Sequence, residues 1–195
     1  MTSIRSTAIW LALGIAIVVP IALTALSPLH QWRGPIYIGA GFAGVVALLL
    51  LLVQPLLAAG WLPNIDRVRS RRLHAWVGAG LTGAVVLHVA GLWITSPPDV
   101  IDALLFRSPT PFSLWGVIAM WCVFGAALVA VFRRRLRLRP MVWRLVHLAL
   151  VTIVVGTTVA HALLIEGAME WFSKVALSVA VAGTVGVVGA RVWRR

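Results

Sequence analysis

Residues 71–88 read RRLHAWVGAGLTGAVVLH, and residues 143–161 read WRLVHLALVTIVVGTTVAH. Each stretch carries two histidines 14 residues apart: His74 and His88 in the first, His147 and His161 in the second. No charged residue separates the members of either pair. An α-helix rises about 1.5 Å per residue, so 14 residues cover roughly 21 Å and return within about 40° of the starting direction. Each stretch is therefore predicted to be an apolar helix with two histidines on one face. A hydrocarbon core about 30 Å thick places one histidine of each pair toward each side of a membrane.

The rest of the chain supports a membrane setting. Of 195 residues, 61% are hydrophobic and only 11% are Asp, Glu, Lys or Arg, too few charges to coat a water-soluble domain. Apolar runs near 20 residues long recur from end to end, and such runs span as helices because unpaired backbone polar groups are too costly in hydrocarbon. Six spans are predicted, at 8–26, 35–59, 73–94, 112–132, 142–165 and 172–190, forming a single all-α membrane domain over 1–195. The first has some features of a signal peptide, with Arg5 ahead of it and Ala25 and Ser27 near its end. Its run is long for a cleaved leader and Pro28 follows closely, so a retained span is expected.

Seventeen basic against five acidic residues give a net charge of +12. Clustered basic charge often marks nucleic-acid binding, but here it falls in short segments between apolar runs, so no nucleic-acid partner is expected. Arg5, the Arg67–Arg72 and Arg133–Arg144 segments, and Arg191, Arg194 and Arg195 hold 14 of the basic residues, with Asp66 the sole acid among them. The alternate set holds Arg33, Arg107 and Lys174 with Asp99, Asp102, Glu166 and Glu170. The positive-inside rule then puts both termini in the cytoplasm. The Arg133–Arg139 cluster also offers a surface to anionic lipid or an acidic redox partner. The one cysteine, Cys122, lies in an apolar run and reads as a core thiol; alone, it excludes an internal disulfide.

The third and fifth spans run in the same direction. His74 and His147 should share the cytoplasmic level, and His88 and His161 the outer one. Two neutral imidazoles at one level supply what axial haem ligation needs. The expectation is two b-type haems per chain, with axial pairs His74/His147 and His88/His161, in a haem-binding helical bundle. Filled axial positions suit electron transfer. A proton or ion pathway is the alternative for intramembrane histidines, and hydrogen-bonded packing the blandest one. A zinc cage does not fit four ligands spread over roughly 21 Å.

Around this set, Arg71, Arg72 and Arg144 are candidate partners for haem propionates at the cytoplasmic level; topology anchoring is their other reading. Gly78, Gly80, Gly83 and Gly91 allow close approach by a helix or a flat ligand. His30 is expected to be a solvated interfacial residue. Trp10, Trp32, Trp61, Trp143, Trp171 and Trp193 fit an aromatic belt, whereas Trp76, Trp93, Trp115 and Trp121 suit helix packing. The outer carboxylates need no special role.

The two quoted histidine stretches resemble the ferric-reductase-like transmembrane domain family: the membrane cores of NADPH oxidases, ferric reductases and the haem subunit of a bacterial methionine sulfoxide reductase system. The resemblance implies a six-helix core whose third and fifth helices carry the haem ligands, and a multi-pass protein of a bacterial inner membrane. It also implies electron flow from the cytoplasm outward. Larger members add FAD- and NAD(P)H-binding domains, whose glycine-rich motif does not occur here, so neither site is expected on this chain. The donor would be a separate flavoprotein reductase or quinol. The acceptor would be an outer-side redox protein, metal ion, quinone or oxygen. Whether the chain alone counts as an enzyme stays open; a membrane haem subunit of an oxidoreductase is the expectation. Diheme cytochromes of quinol-oxidising complexes and b561-like reductases are rival electron carriers. A haem-free transporter or assembly factor is the rival of a different class.

Overall fold

The computed structural model describes residues 3–193, and its regular structure is helical; residues 1–2, Arg194, Arg195 and the side chains of Val192 and Trp193 fall outside what is described. Among the described residues seven α-helices follow one another: α1 (Ser3–Ala25), α2 (Pro35–Ala59), α3 (Arg67–Thr95), α4 (Pro97–Leu104), α5 (Pro111–Phe132), α6 (Pro140–Leu164) and α7 (Trp171–Trp193). A 3-10 turn, Pro28–His30, joins α1 to α2. All but α4 are long and apolar enough to cross a membrane, so the chain is a multi-pass membrane protein.

Local chemistry sets the helix ends. Proline opens α2, α4, α5 and α6, where its fixed φ suits a first turn and its missing N–H would have been unpaired anyway. Asp66 caps α3 by accepting from the N–H groups of Val68 and Arg69, both at 2.9 Å. The cap lets α3 start at Arg67, ahead of the apolar run that begins at Leu73, so the helix carries its arginines beyond the apolar layer. At the end of α2, Gly60 takes φ +65°, and Trp61 N–H reaches the Leu56 carbonyl at 3.0 Å. That is a Schellman closure, and the left-handed residue it needs is glycine. Helix α4 lies outside the expected spans: it is a single short amphipathic piece, too short to cross, with Val100 turned inward.

Helices α2 and α3 pair intimately, as do α5 and α6, and α7 leans on both pairs through α2 and α6. The core forms from Leu48, Leu49 and Leu52 of α2, Leu81 of α3, Val123 of α5, Val154 and Val155 of α6, and Leu177 and Val181 of α7. Helix α1 packs on this core through partly buried Ala16, Ile17 and Ile21, and buries Pro20 and Thr24. Cys122 packs against the core as a free thiol. Trp76, Trp93, Trp115 and Trp121 are exposed on the bundle surface rather than packed between helices. Apolar area facing outward costs nothing in lipid, so their positions obey no inward rule.

Candidate functional site

The two hairpins α2–α3 and α5–α6 bring the four histidines together in pairs. His74 and His147 have ring centroids 6.4 Å apart, with planes at 73°. His88 and His161 have centroids 6.5 Å apart, with planes at 79°. The first pair lies at the arginine-rich end of the bundle, near the starts of α3 and α6; the second lies toward the far end. Among the described residues no three His, Cys, Asp or Glu side chains converge, so the histidines meet as pairs and not as a cage.

The ring nitrogens are not equivalent. His88 Nδ1 lies 2.7 Å from the Ala40 carbonyl, and His161 Nδ1 lies 2.8 Å from the Phe112 carbonyl. A carbonyl oxygen can only accept, so each Nδ1 carries the proton and donates. The tautomer is thereby set, and Nε2 keeps its lone pair for a metal. His74 Nδ1 donates likewise to the Gln54 carbonyl at 3.2 Å, and Gln54 Nε2 donates back to the His74 carbonyl at 3.3 Å. His147 differs: its Nδ1 is buried without a partner, and its ring stacks on Trp143 at 5.5 Å and 14°.

Two glycines make room for the far pair. A Cβ at position 44 would lie 3.0 Å from His88 Nδ1, and one at position 116 would lie 2.8 Å from His161 Nδ1 and 2.9 Å from its Cε1. Each glycine sits four residues, one helical turn, beyond the carbonyl that holds the same ring. The neighbouring helix therefore presents a groove with an acceptor at one end, and the imidazole edge lies in it. The Phe112 ring adds an edge contact to His161 at 5.9 Å.

This arrangement fits a haem between the rings of each pair. Two rings sharing one metal ion through their nitrogens, with metal–nitrogen bonds of about 2.0 Å and roughly 1.1 Å from nitrogen to ring centre, would have centroids about 6.2 Å apart. The two observed separations lie within a few tenths of that value.

Other residues singled out in the sequence separate from this set. Arg72 and Arg144 are exposed at the arginine-rich end; Arg144 Nε donates to the Pro140 carbonyl at 3.4 Å. Arg71 is exposed too. Gly91 serves helix packing, since a Cβ there would meet Ala40 Cβ at 2.7 Å, and Gly78 accommodates the Gln54 amide. His30 is not a solvated residue: its Nε2 donates to the Thr24 carbonyl at 2.6 Å and its ring stacks on Phe42 at 5.8 Å. The turn after α1 folds it back onto α2. Asp99 accepts from the Ser96 hydroxyl, and Glu170 caps α7 through the N–H groups of Phe172 and Ser173. The Ser173 hydroxyl, together with those N–H groups, holds the Glu170 carboxyl below the usual carboxylate range. The N–H of Arg69 does the same for Asp66.

Ala40, Gly44, Phe112, Gly116 and Gln54 escaped the reading of the sequence, because backbone carbonyls and missing side chains leave no side-chain signal. One numerical trace exists: Gly44 precedes His88 by 44 residues and Gly116 precedes His161 by 45.

A family model described as ferric reductase like transmembrane component matches residues 40–158, more than half of the chain. The match takes in His74, His88 and His147 and stops just short of His161. Comparison with curated proteins and with solved structures gave no match.

Proposed function

The chain belongs to the ferric reductase-like transmembrane family, and on that premise we propose that it conducts electrons across a membrane through two b-type haems held by His74/His147 and His88/His161. The observation that carries this reading is the pairing itself: two facing imidazole pairs at 6.4 and 6.5 Å, with Nδ1 tied to main-chain carbonyls in three of the four rings. When bound, haem supplies an iron that takes up and releases one electron at a time without demanding a proton.

The chain's own residues supply the rest. Ala40, Phe112 and Gln54 fix ring orientation through their carbonyls and strengthen the imidazoles as ligands. Gly44 and Gly116 give the far rings their seats. Leucine and valine packing between the levels excludes water. Arg72 and Arg144 stand at the end where anionic haem carboxylates of the first level would emerge. Placing the arginine-rich end in the cytoplasm follows the positive-inside rule, with both termini on that side. A bacterial inner membrane, a cytoplasmic flavoprotein or quinol as donor, and an outer-side acceptor complete the proposal. The single family-wide domain is taken to run over 1–195.

Proteoliposomes loaded with a soluble reductant test this directly. The protein should let them reduce an impermeant oxidant in the outer medium, and changing His88 and His161 together to alanine should abolish the reaction. Equal rates with protein-bearing and protein-free vesicles would contradict the reading.

A further inference from the structure

Lys174 is the chain's single lysine, and it stands where a lysine is costly. It lies in the first turn of α7, at the end of the bundle that holds His88 and His161, and is only 7% exposed. Its Nζ donates to the carbonyl of Ile165, the residue just past α6. An ammonium has three donors, and this is the one hydrogen bond Lys174 makes through Nζ among the described residues. The ion pair found among them, Arg69–Asp66, lies at the opposite end. Glu166 and Glu170 are near enough to act on Lys174 electrostatically. Glu166 is exposed, however, and Glu170 is taken up by the N–H groups and hydroxyl at the start of α7. A buried cation with spare donors and, among the described residues, no carboxylate within ion-pair distance calls for a closer anion.

Two neighbours indicate where that anion sits. Lys174 is tied to the carbonyl of Ile165, whose own N–H closes the last turn of α6 on the carbonyl of His161, a member of the far pair, at 3.1 Å. One turn further along the same face of α7, Ser178 is 3% exposed and its hydroxyl has no partner. A buried cation one turn past His161 and an unsatisfied hydroxyl thus share one face of α7.

Resting on the haem reading above, we infer that Lys174 binds a propionate carboxylate of the haem held between His88 and His161. The positive charge also favours the reduced form at that level, because reduction removes one positive charge from the iron and the surroundings screen poorly.

Redox titration of the full chain in lipid nanodiscs, with haem counted per chain, tests this. Changing His88 and His161 identifies which transition belongs to the far level. Lys174→Gln should shift that transition to lower potential by a tenfold change in its equilibrium constant, about 59 mV for a one-electron couple, or release that haem altogether. Lys174→Arg should restore it, and the other transition should not move. Glu166→Gln, on the exposed loop, should shift the far transition upward and by less, and it reads the same charge even if the glutamine variant fails to accumulate. A far transition unmoved in Lys174→Gln, or unmoved in Glu166→Gln where Lys174→Gln cannot be made, overturns the inference while leaving two-haem conduction standing. A wild-type chain without haem overturns both.

Discussion

The far pair and the arginine-rich pair are built to different plans. His88 and His161 are held alike: each donates from Nδ1 to a main-chain carbonyl of the preceding helix and lies over a glycine one turn on. At the arginine-rich end the two rings diverge. His74 shares a reciprocal pair of bonds with Gln54, while His147 has no hydrogen-bond partner at Nδ1 and leans on Trp143. Where the main chain holds both rings, orientation is set by the helix crossing itself. Where one ring is held by stacking alone, orientation depends on a replaceable side chain. The far level should therefore be intolerant of added bulk, and the arginine-rich level sensitive to loss of one aromatic ring.

The strongest blow to this contrast should come from Gly116→Ala. The added methyl would enter at 2.8 Å from a ring already tethered to Phe112, so ring or helix must shift. Overpacking of this kind costs about 1–3 kcal/mol. More than half of the far-level haem should be lost, with a smaller loss for Gly44→Ala. Gly156→Ala, where a Cβ meets nothing within 4 Å, should change nothing. Equal haem content in Gly116→Ala and Gly156→Ala would break the account of the far seats.

Next in size is Trp143→Ala. Removing the stacked ring should cost about 0.5–1.5 kcal/mol of positioning at His147. It should broaden or partly deplete the arginine-rich level alone, and Trp143→Phe should largely restore it. Loss at the far level instead would reverse the contrast. Gln54→Leu should matter less. The acceptor for His74 is the Gln54 main-chain carbonyl, which survives the change; only the long 3.3 Å bond from Gln54 Nε2 to the His74 carbonyl is lost, and the buried Oε1 has no partner to lose. Stability and haem content should stay within about 1 kcal/mol and a few tenths of wild type.

The smallest effect concerns the helix caps. Asp66 and Glu170 both have carboxyls held below the usual range. A depressed folded-state value means the stabilisation is complete above the unfolded value and fades as pH falls through the folded one. Thermal melts should show a slightly shallower acid decline, below about pH 4, in Asp66→Asn and Glu170→Gln than in wild type. A steeper decline would give these caps the wrong sign.

Six helices able to span a membrane were legible because apolar runs of that length have few other stable fates. The histidine pairs were legible because a 14-residue repeat on two parallel helices predicts facing rings. Helix α4 was missed because eight residues carry too little periodicity. The mistaken view of His30 arose from its polar, loop-like surroundings, which give no hint that the turn tucks it onto Thr24 and Phe42. The seats for His88 and His161 were invisible for a deeper reason. They consist of carbonyl groups, which every residue has, and of a missing Cβ, which seventeen glycines share.

Haem counted per chain, with reduced-minus-oxidised spectra, tests the central claim most directly when three proteins are compared: wild type, His74→Ala with His147→Ala, and His88→Ala with His161→Ala. The account predicts two b-type haems in wild type and one in each double variant, with the two residual spectra summing to the wild-type spectrum. A wild-type chain with no haem, or loss of both haems from either folded double variant, would contradict it.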